Sequence, residues 1–295
     1  MGRLVLAMFL LCATTVMTAA TVSGYQQSIR EWQRERLAKL KADNGWLTVA
    51  GLFWLHEGDN PAGNDPQAIV QLPDGDKSIG SFRFTDGKVS FVPTNGIGGL
   101  ALNGSPITAA VAAMQSDENG AKPDVLTYRD LSFFVIKRGE RHAIRMRDKN
   151  SSMRREFTSL HYFPVREDLR FDAKFVSYPE PKMVSVPNIL NEVEPQKSIG
   201  YAVFTYQGQE YKLEPVIEDD QLFYIFKDKT AGKETYPSGR FVYSEFPKDG
   251  HVVLDFNKAY NPPCAFTPFA TCPLPPKQNR LDVRLEAGEL KYGNH

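Results

Sequence analysis

Short runs of alternating apolar and polar residues, separated by tight-turn dipeptides, recur along most of this chain and limit the folds that it can adopt. Two such runs flank Asp86-Gly87, and two more flank Gln207-Gly208. Glycine at the second turn position readily adopts the positive φ that a two-residue hairpin requires. A parallel sheet would need crossover helices between its strands, and the pattern contains none. The sequence therefore predicts a mostly β, antiparallel fold.

One helix is predicted near the start of the chain, within residues 21–44. Its clearest part is 25–41, where Ile29, Trp32 and Leu40 fall near one stripe and charged residues cover the rest of the surface. Asn44-Gly45 then ends the helical pattern.

The strand-forming runs that follow divide into two groups. Residues 45–150 are predicted to form an antiparallel β sandwich, and residues 151–295 a second antiparallel β domain that is either a barrel or a sandwich. The boundary is placed near the polar, basic stretch 148–157. The last predicted strand is Leu281 to Leu285.

The first twenty residues have the pattern of a secretory signal peptide. Arg3 supplies the positive start, residues 4–16 a short apolar stretch, and residues 18–20 small side chains for cleavage. The apolar run is too short to span a bilayer, which takes about 20 residues. Lipid attachment at Cys12 is disfavoured, because Leu11 stands where a small residue should precede it. We expect a periplasmic or secreted protein with no membrane span in its mature part.

Charge and motif content exclude several classes of function. Lysine plus arginine equals aspartate plus glutamate, at 35 each, and no basic run is interleaved with aromatic residues, so no nucleic-acid partner is expected. The five histidines lack metal-site spacing, and no cofactor fingerprint occurs, so no metal and no cofactor are expected. The G-x-S-x-G pentapeptide of a serine nucleophile is also absent.

Two cysteines, Cys264 and Cys272, remain once a leader has been removed. In an oxidising compartment an even pair favours one disulfide that closes a small loop. The alternatives are two buried free thiols or one reactive thiol.

Two polar clusters in the second half are candidates for ligand binding. The first combines charges and hydroxyls in a loop between strands and comprises Lys233, Glu234, Thr235, Tyr236 and Arg240. The second lies where a strand ends before two prolines and comprises Asp255, Asn257, Lys258, Tyr260 and Asn261. Arginine and loop amides can receive an anion. The alternative is that these are solvated turns whose side chains satisfy their own backbone.

We expect both clusters to border one pocket that holds a small polar or anionic ligand of unknown identity. Aromatic residues of the neighbouring strands are expected to supply its walls: Phe223, Tyr224, Phe226, Phe241 and Tyr243. The alternative is a hydrolase or lyase in the same loops. Asp255 or Glu234 would then be the base, Tyr260 or Lys258 the acid, and Arg240 would stabilise negative charge. Binding is the preferred hypothesis because no nucleophile, metal set or cofactor fingerprint is present, and whether the protein is an enzyme is left open.

Longer motifs connect the chain to a known family. They are Gly45 to Leu55, Tyr162 to Val165, the Gly-Lys-Glu-Thr-Tyr cluster, Asp255 to Cys264, Cys272 to Pro276, and Ala287-Gly288-Glu289. Together they resemble a prokaryotic domain-of-unknown-function family, number sixteen-eighty-four, over nearly the whole mature chain. That family has no established activity. The resemblance therefore implies only that the ten residues of the two polar clusters matter beyond packing.

A second resemblance lies in the first half. Residues 58–72, the hairpin at 86–87 and the turn at 102–104 look like a forkhead-associated sandwich. Such domains bind phosphothreonine with an arginine directly after a glycine in the first loop. Here Gly63 is followed by Asn64 and Asp65, and a carboxylate at that place repels phosphate. The resemblance thus implies the sandwich without the phosphopeptide activity.

Overall fold

The computed structural model describes residues 23–293, so the predicted leader at 1–20, with Cys12, lies outside the described residues. Helix α1 spans Gly24–Lys41 and the short helix α2 spans Ser152–Arg155. The strands of the first half are β1 Val49–Trp54, β2 Gly58–Gly63, β3 Val70–Gln71, β4 Gly80–Thr85, β5 Lys88–Pro93, β6 Leu100–Leu102, β7 Ser105–Pro106, β8 Val111–Met114, β9 Val125–Tyr128, β10 Leu131–Arg138 and β11 Arg141–Asp148. Those of the second half are β12 Arg170–Pro187, β13 Val193–Tyr206, β14 Gln209–Leu213, β15 Val216–Glu218, β16 Gln221–Phe226, β17 Arg240–Ser244 and β18 His251–Asp255. Single 3₁₀ turns lie at Trp46–Thr48, Glu118–Gly120, Glu167–Leu169, Phe256–Lys258, Pro263–Ala265 and Lys277–Asn279.

The strands of the first half form a sandwich of two sheets. One sheet has the order β1-β11-β10-β9-β6-β7 and the other the order β3-β2-β4-β5-β8. Their facing sides bury a shared core that includes Phe82, Phe91 and Phe133. The ring centroids of Phe82 and Phe91 are 4.9 Å apart. The pairing is antiparallel except between β2 and β3, which run parallel where Ala62 lies beside Val70. The predicted sandwich is confirmed.

The predicted hairpins form at the turn dipeptides. Asp86 and Gly87 both have positive φ, 49° and 71°, and connect β4 to β5. Gln207 and Gly208, at 52° and 79°, connect β13 to β14 in the same way. Two successive residues with positive φ give the turn twist that matches antiparallel strands.

The strands of the second half form two smaller antiparallel sheets. A four-stranded sheet has the order β14-β13-β12-β18, and a three-stranded sheet the order β15-β16-β17. The core between them is rich in aromatic residues, with Phe204, Tyr224 and Phe256 all buried. The described strands do not close into a barrel. Of the two predicted forms for this half, the sandwich is correct.

The three-stranded sheet is covered on both of its faces. Its second face carries Phe223, Ile225 and Phe241, which pack against Val186 of β12 and against Cys272. A run that is apolar without alternation, such as residues 222–226, is typical of a strand buried on both sides. This second face becomes one wall of the cleft described below.

The predicted last strand, Leu281 to Leu285, is wrong. These residues alternate and bury Leu281, Val283 and Leu285 in the core, but they form no strand. Leu281 and Val283 each make one backbone hydrogen bond, to Lys227 at 2.7 Å and to Lys229 at 2.8 Å. Leu285 is bonded by side chains, because Asp228 accepts from its amide at 2.8 Å and Arg240 donates to its carbonyl at 3.1 Å. The buried ion pair of Asp228 and Arg240 thus makes the two hydrogen bonds to Leu285 that a neighbouring strand would make in a sheet.

Helix α1 is confirmed and packs along the second half of the chain. The hydroxyl of Ser23 accepts from the amide of Gln26 at 3.2 Å and caps its first turn. Ile29 and Leu40 are buried on its inner face. Among the helices that the structure describes, none is both long and apolar enough to cross a membrane.

Candidate functional site

A cleft of about 1090 Å³ separates the two halves of the chain beneath helix α1. One wall is the outer face of the six-stranded sheet, including Phe134 and Arg145. The opposite wall is the second face of the three-stranded sheet, including Tyr243, and the helix contributes Trp32 and Arg36. We refer to this space as the cleft. Its volume is close to the upper end of the roughly 300–1,000 Å³ that is usual for ligand pockets.

Cations outnumber anions around the cleft, with eight lysine and arginine side chains against six aspartate and glutamate side chains. Most of the nearby carboxylates already have partners. Asp117 accepts two hydrogen bonds from Arg138, at 3.0 and 2.9 Å. Asp255 accepts from the hydroxyl of Tyr25 at 2.8 Å. The cleft therefore has an excess of positive charge that its own carboxylates do not neutralise.

Arg145 and Arg147 supply much of that excess. Arg145 is 4% exposed, and burial lowers its pKa to about 10. Its Nη2 donates to the hydroxyl of Thr271 at 3.3 Å, but its Nε has no partner. Burial also lowers the pKa of Arg147, whose Nε is likewise unpartnered. No carboxylate of residues 23–293 forms an ion pair with either guanidinium.

The alternation of β11 explains how these arginines reach the cleft. Ile144 and Met146 point into the sandwich core, so Arg145 and Arg147 project from the opposite face of the strand. There the Arg145 guanidinium carbon lies 5.2 Å from the ring centroid of Trp46, and that of Arg147 lies 4.6 Å from the ring of Phe134. The sequence analysis missed both residues, although their position in a predicted strand was a usable signal.

Thr271 holds two of the arginines through one hydroxyl group. Arg138 donates to it from Nε at 3.0 Å, and Arg145 from Nη2 at 3.3 Å. Thr271 precedes Cys272, which lies at disulfide distance from Cys264, with 6.3 Å between the two Cα atoms. The predicted cysteine pair thus fixes the loop that positions the arginines.

The second predicted cluster lies partly on the cleft. Asp255, Lys258 and Tyr260 line it. Asn257 does not line the cleft, because its side chain is hydrogen-bonded to the backbone of the segment before β12. Its Oδ1 accepts from the backbone N–H of Arg166 at 2.8 Å, and its Nδ2 donates to the backbone carbonyl of Arg166 at 2.7 Å.

Asn261 is the remaining member of that cluster, and it too lies outside the lining of the cleft. It is fully buried, with its amide donating to Glu289 Oε2 at 2.8 Å and its side chain donating to the carbonyl of Leu290 at 2.7 Å. Arg36 of helix α1 joins the same group, donating to Glu289 Oε1 at 2.9 Å. This contact fastens the helix over the end of the cleft.

The first predicted cluster contributes no residue to the lining of the cleft. Its members are placed as follows: Lys233 is exposed, Glu234 pairs with Arg284 at 2.8 Å, Thr235 bonds the hydroxyl of Thr230 at 2.8 Å, and Tyr236 packs near Leu40. Arg240 is 1% exposed and pairs with Asp228 at 3.3 Å. The structure therefore does not bring the two clusters together around this cleft. A ligand-binding role for either stays a prediction.

Aromatic side chains form the wall opposite the arginines. The rings of Phe223 and Tyr243 stack with centroids 4.7 Å apart, and those of Tyr243 and Tyr260 are nearly parallel, with 12° between their planes. The Arg36 guanidinium lies 4.5 Å from the ring centroid of Tyr260. The hydroxyl of Tyr243 is hydrogen-bonded to Glu218. Of the aromatic residues expected in the pocket walls, Tyr224 and Phe226 instead face the core.

This arrangement favours binding of an anion rather than a metal ion. One buried and one partly buried guanidinium group, neither in an ion pair within residues 23–293, suit a carboxylate or phosphate. Within the part of the chain that the structure describes, no group of three or more His, Cys, Asp or Glu side chains is placed to hold a metal ion.

A family model matches the second half of the chain. Residues 155–290 match the family described as "Protein of unknown function (DUF1684)". The chain is also similar to an uncharacterized protein of Haloarcula marismortui solved by solution NMR, with 30% identity, 46% of this chain and 78% of that chain covered, and a TM-score of 0.39. No curated protein matches the chain.

Proposed function

The chain belongs to the DUF1684 family of proteins of unknown function, and we propose that it is an exported protein that binds a small anionic ligand in the cleft. The observation that carries this proposal is Arg145, a guanidinium that is 4% exposed and has no carboxylate partner in the part of the chain described.

A buried charge without an ion-pair partner is costly, because the desolvation of the ion is not fully offset. Asp117 attracts the charge of Arg145, but burial outweighs that attraction. Arg145 retains its charge at neutral pH, since burial lowers its pKa only to about 10. An anion entering the cleft would supply a counter-charge next to the guanidinium groups of Arg145 and Arg147, both of which line it. Binding of the anion would then offset part of the free-energy cost of burying the charge of Arg145.

Export is the second part of the proposal. It is supported by the leader pattern of residues 1–20 and by a cysteine pair at disulfide distance, which is typical of oxidising compartments. Expression of the full chain followed by cell fractionation and intact-mass measurement tests it. A chain that starts near residue 21 and is found outside the cytoplasm is the expected result. An uncleaved chain in the cytoplasm would contradict export.

The hydrolase or lyase alternative gains less support from the geometry. Asp255, Lys258 and Tyr260 line the cleft, but Arg240, which was to stabilise negative charge, is buried against Asp228. Burial raises the pKa of Tyr260 to about 12, which makes it a poor proton donor near neutral pH. Binding is therefore the function that the cleft supports better.

Isothermal titration calorimetry with inorganic phosphate, acetate, benzoate and phenyl phosphate tests anion binding directly. At least one of these anions is expected to bind, and Arg145→Met is expected to weaken that binding by about tenfold or more. Arg141→Met is the matched control, because Arg141 lies on the same strand but pairs with Glu192 at 2.6 Å and does not line the cleft. Absence of binding by the whole panel, or equal effects of the two variants, would reject the proposal.

A further inference from the structure

We infer that the anionic ligand carries an aromatic ring, which lies against Tyr243 and Tyr260 while its charged group is bound by Arg145 and Arg147. This inference rests on the proposed function and adds the chemical class of the ligand. An inorganic anion alone would fill little of a cleft of about 1090 Å³. The body of the ligand must therefore match the rest of the lining.

The lining of the cleft includes five aromatic side chains that are partly or largely exposed. Trp32, Trp46, Tyr243 and Tyr260 are only partly buried, and Phe246 is 41% exposed. Large apolar side chains that are left open to water within one concavity are typical of ligand-binding sites. They provide flat, apolar faces that an aromatic ring covers well.

The tyrosine faces are held in fixed positions before any ligand arrives. Tyr243 is stacked on Phe223 and hydrogen-bonded to Glu218. Tyr260 is held between the ring of Phe241, at a centroid distance of 5.8 Å, and the guanidinium of Arg36, at 4.5 Å. A preorganised surface loses little conformational entropy on binding and so favours ligands that match its shape.

The aromatic wall is continuous with the arginine site. Trp46 packs in the same cluster as Phe223, Tyr243 and Tyr260, and the Arg145 guanidinium lies 5.2 Å from its ring centroid. One ligand of modest length can therefore contact both the arginines and the tyrosines. Aromatic rings prefer offset-stacked or edge-to-face contacts with other rings, which gives a preference over saturated rings of similar size.

Titration calorimetry of the full mature protein with benzoate and with cyclohexanecarboxylate isolates the role of aromaticity. The two anions have the same charge and similar size, and the saturated ring has no π system to stack on the tyrosines. Benzoate is expected to bind about fivefold more tightly than cyclohexanecarboxylate. Acetate, which has no ring, is expected to bind more weakly than either.

Tyr243→Leu tests the same point from the protein side. It is expected to reduce the advantage of benzoate over cyclohexanecarboxylate to less than about twofold. Tyr178→Leu is the matched control, because the hydroxyl of Tyr178 also bonds a glutamate, Glu214 at 2.6 Å, but the residue lies outside the cleft. The comparison of the two carboxylates on the unmodified protein does not depend on either variant folding.

The outcomes separate this inference from the proposed function. If all three carboxylates bind with similar affinity and all lose binding in Arg145→Met, the cleft binds anions but the aromatic preference is refuted. If cyclohexanecarboxylate binds as tightly as benzoate, simple apolar burial explains the wall and the inference is also refuted. If neither these anions nor phosphate and phenyl phosphate bind, the proposed function itself fails.

Discussion

Replacing Arg145 with methionine is expected to make the unliganded protein more stable, although it removes a buried residue. Burial lowers the pKa of Arg145 from the ordinary value of an arginine to about 10, and this difference corresponds to about 3 kcal/mol by which the folded environment disfavours the charged guanidinium. Because the group is charged at any pH below about 10, the full cost is present at neutral pH. Methionine occupies similar space without that cost.

Two favourable contacts are lost in the same substitution. The hydrogen bond from Arg145 to Thr271 contributes about 1 kcal/mol. The contact of the guanidinium with the ring of Trp46 contributes about 1 kcal/mol more. The net expectation for Arg145→Met is a gain of about 1 kcal/mol in the free energy of unfolding, which for a chain of this size raises Tm by about 2–4 °C.

Arg240→Met is the control for Arg145→Met, because it removes a buried arginine that does have a carboxylate partner. Arg240 is as deeply buried as Arg145, but it pairs with Asp228 and donates to the carbonyls of Leu285 and Ala287. Its removal leaves a buried carboxylate without its partner and is expected to cost about 3–5 kcal/mol. Urea unfolding and thermal unfolding of both variants, without ligand, measure the contrast. A loss of more than about 2 kcal/mol in Arg145→Met would refute the reasoning, because Arg145 would then be a structural residue.

Three further outcomes are expected. Reduction of the disulfide, whose cysteines are separated by 8 in sequence, should lower the free energy of unfolding by about 2.5 kcal/mol. It should also weaken anion binding, because the loop that the disulfide closes carries Thr271, which accepts hydrogen bonds from Arg138 and Arg145. Urea unfolding and calorimetry in the presence of reductant measure the two effects, and an unchanged anion affinity would contradict the second. Partial desolvation raises the pKa of Glu218, so its contribution to stability is present below the unfolded-state pKa and is lost as the pH rises through the raised value. Glu218 lines the cleft, so its protonation removes a negative charge near the ligand, and anion affinity measured by calorimetry should increase as the pH is lowered through the raised pKa. Glu218→Gln should reduce this increase, and an unaltered pH profile in that variant would count against the prediction. Tyr25→Phe removes a hydroxyl that donates to Asp255 at 2.8 Å and accepts from Asn257 at 2.9 Å. The free energy of unfolding measured in urea should fall by about 1–2 kcal/mol. A fall of less than about 0.3 kcal/mol would mean that other contacts hold helix α1 in place.

Local rules were sufficient for the elements with strong sequence signals. Helix α1 follows from its apolar stripe, and the hairpins at Asp86-Gly87 and Gln207-Gly208 follow from residues that tolerate positive φ. Leu281 to Leu285 shows where such rules fail. Its alternation is that of a strand, but it makes only single backbone hydrogen bonds to residues 227 and 229 and bonds to the side chains of Asp228 and Arg240, all of which are distant in sequence.

The candidate site was anticipated only in part, and for a physical reason. Three of the ten predicted residues, Asp255, Lys258 and Tyr260, line the cleft. Arg145, the group that carries the proposal, occupies a strand position that in isolation is equally consistent with a solvent-facing arginine. Its charge becomes costly only because the second half of the chain covers that face.

The amino-acid sequence by itself determined the mostly β class, the antiparallel pairing, the N-terminal helix and the cysteine pair, because each depends on contacts or backbone preferences within a few residues or on composition. Tertiary structure alone decided which polar residues are adjacent. Arg240 forms an ion pair with the carboxylate of Asp228, whereas Arg145 lies against the ring of Trp46 and donates to the hydroxyl of Thr271. Whether a buried charge is neutralised depends on groups brought from distant parts of the chain, and local sequence pattern does not encode that proximity.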